Sequence, residues 1–235
     1  MSVGGRPPMD FFRSRNHGGL HVKNVIRRVS VAVAAAAALM SIAVAPSSAA
    51  PKFEPYDLPN VGTQAQAKAA AVGEAIWTAI IPKTTDVNYG ASVDRCADIA
   101  WNSVDNGARA ILFDCYGTNN QKWAPIWVAG TGTQYGTAMF INANSGKCLD
   151  LASGSAANGA HVIQWNCHNG PNQQWEVVLP TGADPATYDG PILFKNRATG
   201  KCLDTDNGGI ANGTGFLQWD CHGNPNQLFS LYKWI

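Results

Sequence analysis

Three aspartates, Asp98, Asp150 and Asp204, recur at intervals of 52 and 54 residues, and each follows a cysteine by two positions. Such carboxylates could serve a glycosidase, which needs an acid and a second carboxylate on either side of one scissile bond. They could instead accept hydrogen bonds from the hydroxyls of a bound ligand. Because the aspartates occur once in each of three similar stretches, they favour three similar sites. A catalytic pair assembled from distant parts of the chain is the enzymatic alternative.

The six cysteines form three pairs, and the two members of each pair are nineteen residues apart. A pattern that occurs three times predicts three copies of one structural unit. No Cys-x-x-Cys spacing occurs, so a zinc site or other metal site is not expected. The identical spacing favours one disulfide inside each copy, among the fifteen pairings that six cysteines allow: Cys96–Cys115, Cys148–Cys167 and Cys202–Cys221.

Each copy carries further residues at fixed positions around its second cysteine. An aromatic residue stands two positions before that cysteine, and a histidine or tyrosine directly follows it. Each copy then ends in the pattern Asn-Gln-x-aromatic. These residues are Phe113, Tyr116, Asn120, Gln121 and Trp123 in the first copy, Trp165, His168, Asn172, Gln173 and Trp175 in the second, and Trp219, His222, Asn226, Gln227 and Phe229 in the third.

The combination of Cys-Leu-Asp, a cysteine nineteen residues later and a closing Gln-x-Trp resembles the ricin B-chain type lectins, also called family 13 carbohydrate-binding modules. The resemblance covers roughly residues 85–235. It implies an all-β fold, the β-trefoil, with three homologous repeats of four strands around a pseudo-threefold axis. It also implies non-covalent binding of galactose- or xylose-type units of polysaccharides or glycoconjugates, without a cofactor. Short apolar runs between Gly, Asn and Ser clusters favour the same all-β class.

The resemblance implies one sugar site in each repeat. A sugar ring has an apolar face and a rim of hydroxyls, so a site needs an aromatic side chain and several polar groups. As an alternative, the aspartates could be turn caps, and the aromatic side chains could belong to the core. The expected sugar-binding residues are Asp150, Trp165, His168, Asn172 and Gln173 in the second repeat, Asp204, Trp219, His222, Asn226 and Gln227 in the third, and Asp98, Phe113, Tyr116 and Asn120 in the first.

The aromatic residues that close the repeats are predicted to be core residues, and their glutamines are predicted to bond the backbone nearby. The family often has another glutamine four positions before the second cysteine, where this chain has Ile111, Ile163 and Leu217. Gln164 and Gln218 occupy the next position in the second and third repeats. Strand alternation places these two glutamines on the face opposite the aromatic residue that follows each of them.

The N-terminal region has the layout of a secretory signal peptide, predicted over residues 1–49. Six basic residues and one acidic residue precede an uncharged run from Val29 to Ala45, and small residues follow from Ser47 to Ala50. A membrane anchor is the alternative, although a run of seventeen residues is at the short end of what a spanning helix needs. We therefore expect a secreted protein with no membrane contact after signal cleavage.

Removal of residues 1–49 changes the charge balance of the chain. Of its 17 basic and 16 acidic residues, 11 and 15 remain, which gives a formal net charge of −4. A mildly acidic domain without a basic stripe lacks the electrostatic footprint of a nucleic-acid-binding protein. Export into an oxidising compartment agrees with the predicted disulfides. The expected partner is carbohydrate, and the protein is expected to be a monomer.

Residues 50–84 are predicted to form an N-terminal extension or linker. Its alanine-rich part, Gln64 to Ile81, could form one helix that ends at Pro82. Residues 85–235 are predicted to form one trefoil domain, with repeats at about 85–130, 137–180 and 191–235. Strands are predicted at residues 139–141, 161–165, 174–178, 192–194, 216–219 and 229–232.

The sequence does not favour an enzyme. The mature chain has three histidines, two of which are repeat equivalents, and it lacks the Gly-x-Ser-x-Gly, His-Glu-x-x-His and phosphate-binding glycine motifs. A different alternative is a trefoil that binds a protein, for example a hydrolase that it inhibits. An exposed loop would then carry the function in place of the three repeated sites.

Overall fold

The computed structural model describes residues 53–55, 76–128, 135–185 and 188–235. The predicted signal peptide lies outside these residues, as do residues 64–75 of the predicted helix. Within the described ranges the chain forms thirteen β-strands and several short 3-10 turns, and it contains no α-helix. No helix in this part of the chain is long and apolar enough to cross a membrane.

Twelve strands form three consecutive units of four, and one short strand, β1, precedes them at Phe53–Pro55. The first unit comprises β2 Thr78–Pro82, β3 Arg95–Ile99, β4 Ala110–Asp114 and β5 Trp123–Val128. The second comprises β6 Thr137–Asn142, β7 Cys148–Leu151, β8 Val162–Trp165 and β9 Trp175–Val178. The third comprises β10 Leu193–Asn196, β11 Cys202–Thr205, β12 Phe216–Trp219 and β13 Phe229–Trp234. All six strands predicted from the sequence fall on strands of the second and third units.

The first and fourth strands of the three units form a closed ring. They pair in the order β13–β2–β5–β6–β9–β10, and a bridge between Ile192 and Phe229 joins the last strand to the first. The second and third strands of each unit pair as an antiparallel hairpin: β3–β4, β7–β8 and β11–β12. Single bridges such as Ile111 with Gly215 connect the hairpins to one another. This ring with three hairpins is the β-trefoil that the repeats predict.

The aromatic residues that close the repeats lie together in the hydrophobic core, as predicted. Trp123, Trp175 and Phe229 have no accessible surface. The indole N–H of Trp123 donates to the carbonyl of Ala97 at 2.9 Å, and that of Trp175 donates to the carbonyl of Leu149 at 3.1 Å. Each buried indole therefore has an acceptor. Removal of a ring in such a position typically destabilises a fold by about 3 to 5 kcal/mol.

The three disulfides have the predicted pairing: Cys96–Cys115, Cys148–Cys167 and Cys202–Cys221. In every repeat the first cysteine lies at or near the start of the second strand, and its partner follows the end of the third strand. Each disulfide therefore links the two strands of one hairpin at its open end. The aspartate two residues after the first cysteine is fixed close to that bond.

The predicted helix is wrong at its C-terminal end, where Thr78–Pro82 is strand β2. All five residues are buried, and the strand pairs with β13 on one side and with β5 on the other. A continuous apolar segment is compatible with a helix or with a fully buried strand. The strand forms here because it satisfies backbone groups of both neighbours. The first repeat therefore begins at Thr78 and not at residue 85, and β1 in the predicted linker also pairs with β13.

Candidate functional site

The three repeated aspartates lie on the second strand of each unit and are almost fully buried. Only 3% of Asp150 is accessible. Its Oδ1 accepts a hydrogen bond from Nδ2 of Asn172 at 3.0 Å, and its Oδ2 accepts one from Nε2 of Gln173 at 2.7 Å. Both donors come from the 3-10 turn Pro171–Gln173. The closing Asn-Gln pattern thus supplies the donors that a buried carboxylate requires.

The other two aspartates are held in the same way, with one difference. Asp204 accepts from Nδ2 of Asn226 at 2.6 Å and from Nε2 of Gln227 at 2.8 Å, one bond to each carboxylate oxygen. In the first repeat the equivalent amides both donate to Oδ2 of Asp98, each at 2.9 Å. Oδ1 of Asp98 accepts neither of these two hydrogen bonds. We call the surroundings of Asp98, Asp150 and Asp204 the first, second and third site.

The glutamines of the closing pattern position the aspartates. Gln173 and Gln227 were expected to contact sugar, but they have no accessible surface, and the structure corrects this expectation. Oε1 of Gln173 accepts the backbone N–H of His168 at 2.8 Å, while its Nε2 also donates to the carbonyl of Asn166 at 2.9 Å. One amide thereby connects the aspartate to the turn that contains the second cysteine. This backbone bonding was predicted.

The histidines of the second and third repeats face the aspartates. Nδ1 of His168 accepts the backbone N–H of Gly170 at 3.1 Å, so the ring proton is assigned to Nε2. This Nε2 lies 3.5 Å from Oδ2 of Asp150, and the equivalent distance from His222 to Asp204 is 3.3 Å. Both imidazoles are partly exposed. Each one therefore forms part of the site's edge and also directs an N–H toward the carboxylate.

Burial raises the pKa of all three carboxyl groups, because the charged form loses solvation. In the second and third sites, hydrogen bonds from the amides and then the adjacent histidine oppose this rise. The first repeat has Tyr116 in the place of the histidine, and desolvation raises the pKa of Asp98 to about 6 although two amides donate to it. Asp98 therefore loses its charge under mildly acidic conditions.

The large aromatic side chains of the second and third sites lie at the surface, next to the aspartates. Trp165 is opposite Cys148 in the β7–β8 register, and Asp150, two residues after Cys148, is on the same face of the hairpin. Trp165 is 42% exposed and Trp219 is 44% exposed. The alternative that these rings belong to the core is therefore wrong. Each ring is available to an apolar ligand face.

Gln164 and Gln218 hold each of these hairpins against the preceding repeat. Both are fully buried, on the face opposite the tryptophans, as strand alternation predicts. Nε2 of Gln164 donates to the carbonyls of Ser103 and Asp105, both at 2.9 Å. Gln218 bonds the equivalent loop of the second repeat. Sequence analysis missed this contact between repeats, although the shared Gln-Trp dipeptide was a signal for it.

The first site differs from the other two in its aromatic groups. Phe113 replaces the tryptophan, is half-buried and lies 6.1 Å from the ring of Tyr116, which is 63% exposed. Asn120 is buried and bonds Asp98. Sequence analysis also missed Trp101, which is 97% exposed in the turn after β3. The first site thus has a smaller aromatic surface beside its aspartate, with a second aromatic residue on a nearby turn.

The arrangement is suited to binding hydroxyl groups. The hydrogen-bond and ion-pair partners of the three aspartates among the described residues are amides and imidazoles, and no second carboxylate is among them. The described residues also contain no group of His, Cys, Asp and Glu that could hold a metal ion. Each site offers a fixed acceptor next to an aromatic ring. A hydrolytic pair would need two carboxyl groups across one bond.

The closed ring, the three hairpins and the repeated Asp-Asn-Gln arrangement define a β-trefoil protein built from three similar repeats. Residues 125–189 and 185–233 match the family described as ricin-type beta-trefoil lectin domain-like. Residues 125–233 are therefore similar to ricin-type β-trefoil lectin domains. The matched range begins near the end of the first repeat, the repeat in which Ala97 and Tyr116 replace the leucine and histidine of the other two.

Solved structures give the same fold. A designed threefold-symmetric protein, ThreeFoil, has 28% identity and a TM-score of 0.55, with 66% of this chain and 96% of that chain covered. The Rhizoctonia solani agglutinin has 16% identity and a TM-score of 0.55, with coverage of 77% and 99%. An exo-beta-1,3-galactanase from Clostridium thermocellum has 24% identity and a TM-score of 0.57. This chain covers 31% of the galactanase, so the likeness concerns only part of that enzyme.

Proposed function

We propose that the protein is a secreted lectin that binds galactose- or xylose-type units of polysaccharides or glycoconjugates without transforming them. The observation that carries this proposal is the repeated pairing of a buried, amide-held aspartate with an exposed tryptophan in the second and third sites. The ricin-type family match and the lectin-like fold support it.

Each part of a site has a role in this proposal. The tryptophan ring stacks against the C–H face of the sugar, and the aspartate accepts hydrogen bonds from two neighbouring hydroxyls. Asn172 and Asn226 each donate an N–H to the aspartate of their site, and each has further polar atoms for the ligand. The amides fix the carboxylate before the ligand arrives, so little side-chain freedom is lost on binding.

The second and third sites are expected to bind more strongly than the first. Trp165 and Trp219 offer larger exposed rings than Phe113, and their aspartates have a histidine neighbour that opposes the rise in pKa. The two positions at which the family often has a glutamine are occupied by the apolar residues Ile163 and Leu217. Each site alone should therefore be weak, and retention on a polymer should come from two sites that bind the same polymer.

Secretion, a monomeric state and the absence of hydrolysis belong to the same proposal. Three disulfides are typical of an oxidising compartment, and three sites on one monomer suffice for avidity. The aspartates occur as equivalent single acceptors and not as a catalytic pair.

A glycan array, together with sedimentation on insoluble polysaccharide, tests the proposal. The mature protein should bind arrayed glycans that end in galactose or xylose and should release no product. The Asp150→Ala/Asp204→Ala variant should lose nearly all retention on the polysaccharide, whereas Asp98→Ala should lose little. A silent array would favour the protein-binding alternative, and released sugar would favour a glycosidase.

A further inference from the structure

An open cleft of about 430 Å³ lies directly beside the second site. Its lining residues are Ser153, Gly154, Pro171, Asn172, Arg197 and Ala198. Asn172 belongs to both places, because its Nδ2 donates to Asp150 while the residue also lines the cleft. The size lies within the usual range for small-ligand clefts. A ligand that extends from the second site past Asn172 would enter this cleft.

Arg197 is the charged group of the cleft, and a network of neutral groups holds it there. Its Nη1 donates to Oε1 of Gln174. Nε2 of Gln174 in turn donates to the carbonyl of Asn169 at 2.9 Å and to its Oδ1 at 2.8 Å. Gln174 is only 5% exposed, so the guanidinium is tied to a fixed amide. The other N–H groups of the Arg197 guanidinium are not used by the bond to Gln174.

No acidic side chain neutralises Arg197 within the part of the chain that the structure describes. The ion pairs there involve other cations, which are Arg95, His168, Lys201 and His222. Arg197 is exposed, and its hydrogen-bond partner is a neutral amide. The cleft therefore presents a positive charge with unused donors toward a ligand.

Among the described residues, this network occurs beside the second site and has no equivalent beside the first or third. The corresponding residues beside the three sites are identified by three equivalent backbone hydrogen bonds. These run from Arg197 N to Gln174 O, from Ala143 N to Lys122 O and from Lys83 N to Leu228 O. Beside the first site the arginine is replaced by Ala143, which has no charge. Beside the third site it is replaced by Lys83, whose ammonium lies 5.2 Å from the ring centre of Tyr89. Neither Lys122 nor Leu228 has the amide that orients the guanidinium.

We propose that this cleft is a subsite for an acidic sugar unit, one that carries a carboxylate or sulfate and is linked to the neutral sugar in the second site. The proposal rests on the proposed lectin function. A planar guanidinium matches the oxygens of both groups with two parallel hydrogen bonds, which a lysine ammonium cannot supply in that geometry. Ser153 and Asn172 provide polar atoms for the hydroxyls of the same unit.

Titration calorimetry with matched disaccharides tests the subsite. Galactobiose is compared with glucuronosyl-galactose, and xylobiose with glucuronosyl-xylose, on the mature protein and on Arg197→Gln. In whichever of the two pairs binds, the acidic disaccharide should bind about fivefold more tightly than the neutral one at low salt, as expected for a partly exposed ion pair. Arg197→Gln should abolish this preference without weakening the neutral disaccharide. The matched control is Lys83→Gln beside the third site, which should leave the preference unchanged.

The outcomes separate this inference from the lectin proposal. Equal binding of neutral and acidic members, or a preference that survives in Arg197→Gln, overturns the acidic subsite while the lectin function stands. A preference that is also lost in Lys83→Gln overturns the assignment of the acidic subsite to the second site. Failure of all four disaccharides to bind overturns the lectin proposal and the subsite together. Raising the salt from about 0.02 M to about 0.5 M should reduce the preference if charge is its cause.

Discussion

Replacement of Gln227 by leucine tests whether a closing glutamine stabilises its repeat by joining the aspartate to the turn that contains the second cysteine. The Gln227 side chain makes four hydrogen bonds: it accepts from the backbone N–H groups of His222 and Gly223 at 2.8 and 3.2 Å, and it donates to Asp204 and to the carbonyl of Asp220 at 2.8 and 3.0 Å. Leucine has a similar size and none of these groups. At about 1 kcal/mol for each net bond, the loss is about 4 kcal/mol.

The expected fall in the free energy of unfolding is measured by urea denaturation with the disulfides intact. The midpoint should decrease with little change in slope, and in a heating experiment about 4 kcal/mol corresponds to a lower Tm by roughly 8 to 16 °C for a domain of this size. Asn158→Ala is the control, because its hydrogen bond to Asp220 is exposed and its loss should leave the midpoint almost unchanged. A loss below about 1 kcal/mol for Gln227→Leu would refute the reasoning.

Two further predictions concern the aromatic groups and the first site. Trp165→Ala should weaken sugar binding with little effect on stability, whereas Trp175→Ala should lower the free energy of unfolding by about 3 to 5 kcal/mol. Titration calorimetry measures the loss of binding, and urea denaturation measures the loss of stability. Equal effects of the two substitutions in both assays would contradict these predictions. The Asp98 carboxyl should titrate near pH 6 in a carbon-13 NMR experiment. Tyr116→His should lower that midpoint, and an Asp98 midpoint near 4 in the parent would contradict the burial argument.

The raised pKa of Asp98 predicts the direction in which stability changes with pH. Its value is about 6 in the folded protein against 3.8 for an unperturbed aspartate, so the folded state binds this proton more tightly than the unfolded state. Between these two values, a falling pH therefore adds stability through this group. Protonation also removes an acceptor from the first site. Sugar binding at the first site should consequently decrease below about pH 6 while this contribution to stability increases.

The features that the sequence predicts well are those that repeat. The cysteine spacing predicts the disulfides, and the closing aromatics predict the shared core, because each copy repeats the same covalent and packing requirements. Strand β2 has no such marker, since its apolar residues at 78–82 suit a buried helix equally well. Only the pairing with β13 and β5 identifies it as a strand.

The features that the sequence does not predict depend on contacts between repeats or on a single repeat. The bonds from Gln164 to Ser103 and Asp105 join residues about sixty positions apart, and no spacing rule connects them. The Arg197–Gln174 bond links the second repeat to the turn of the third and has no counterpart elsewhere in the pattern. The burial of Gln173 results from its hydrogen bonds to Asp150 on the strand and to the backbone of His168 in the turn, which are distant from each other in the sequence.

A crystal structure of the mature protein soaked with galactose or xylose, at a concentration that saturates it in solution, tests the central claim most directly. We predict a sugar ring over Trp165 and another over Trp219, with two neighbouring hydroxyls of each within hydrogen-bond distance of Asp150 and Asp204. Sugar bound only at other surfaces, with these two aspartates still contacting nothing but their amide and imidazole neighbours, would contradict the account.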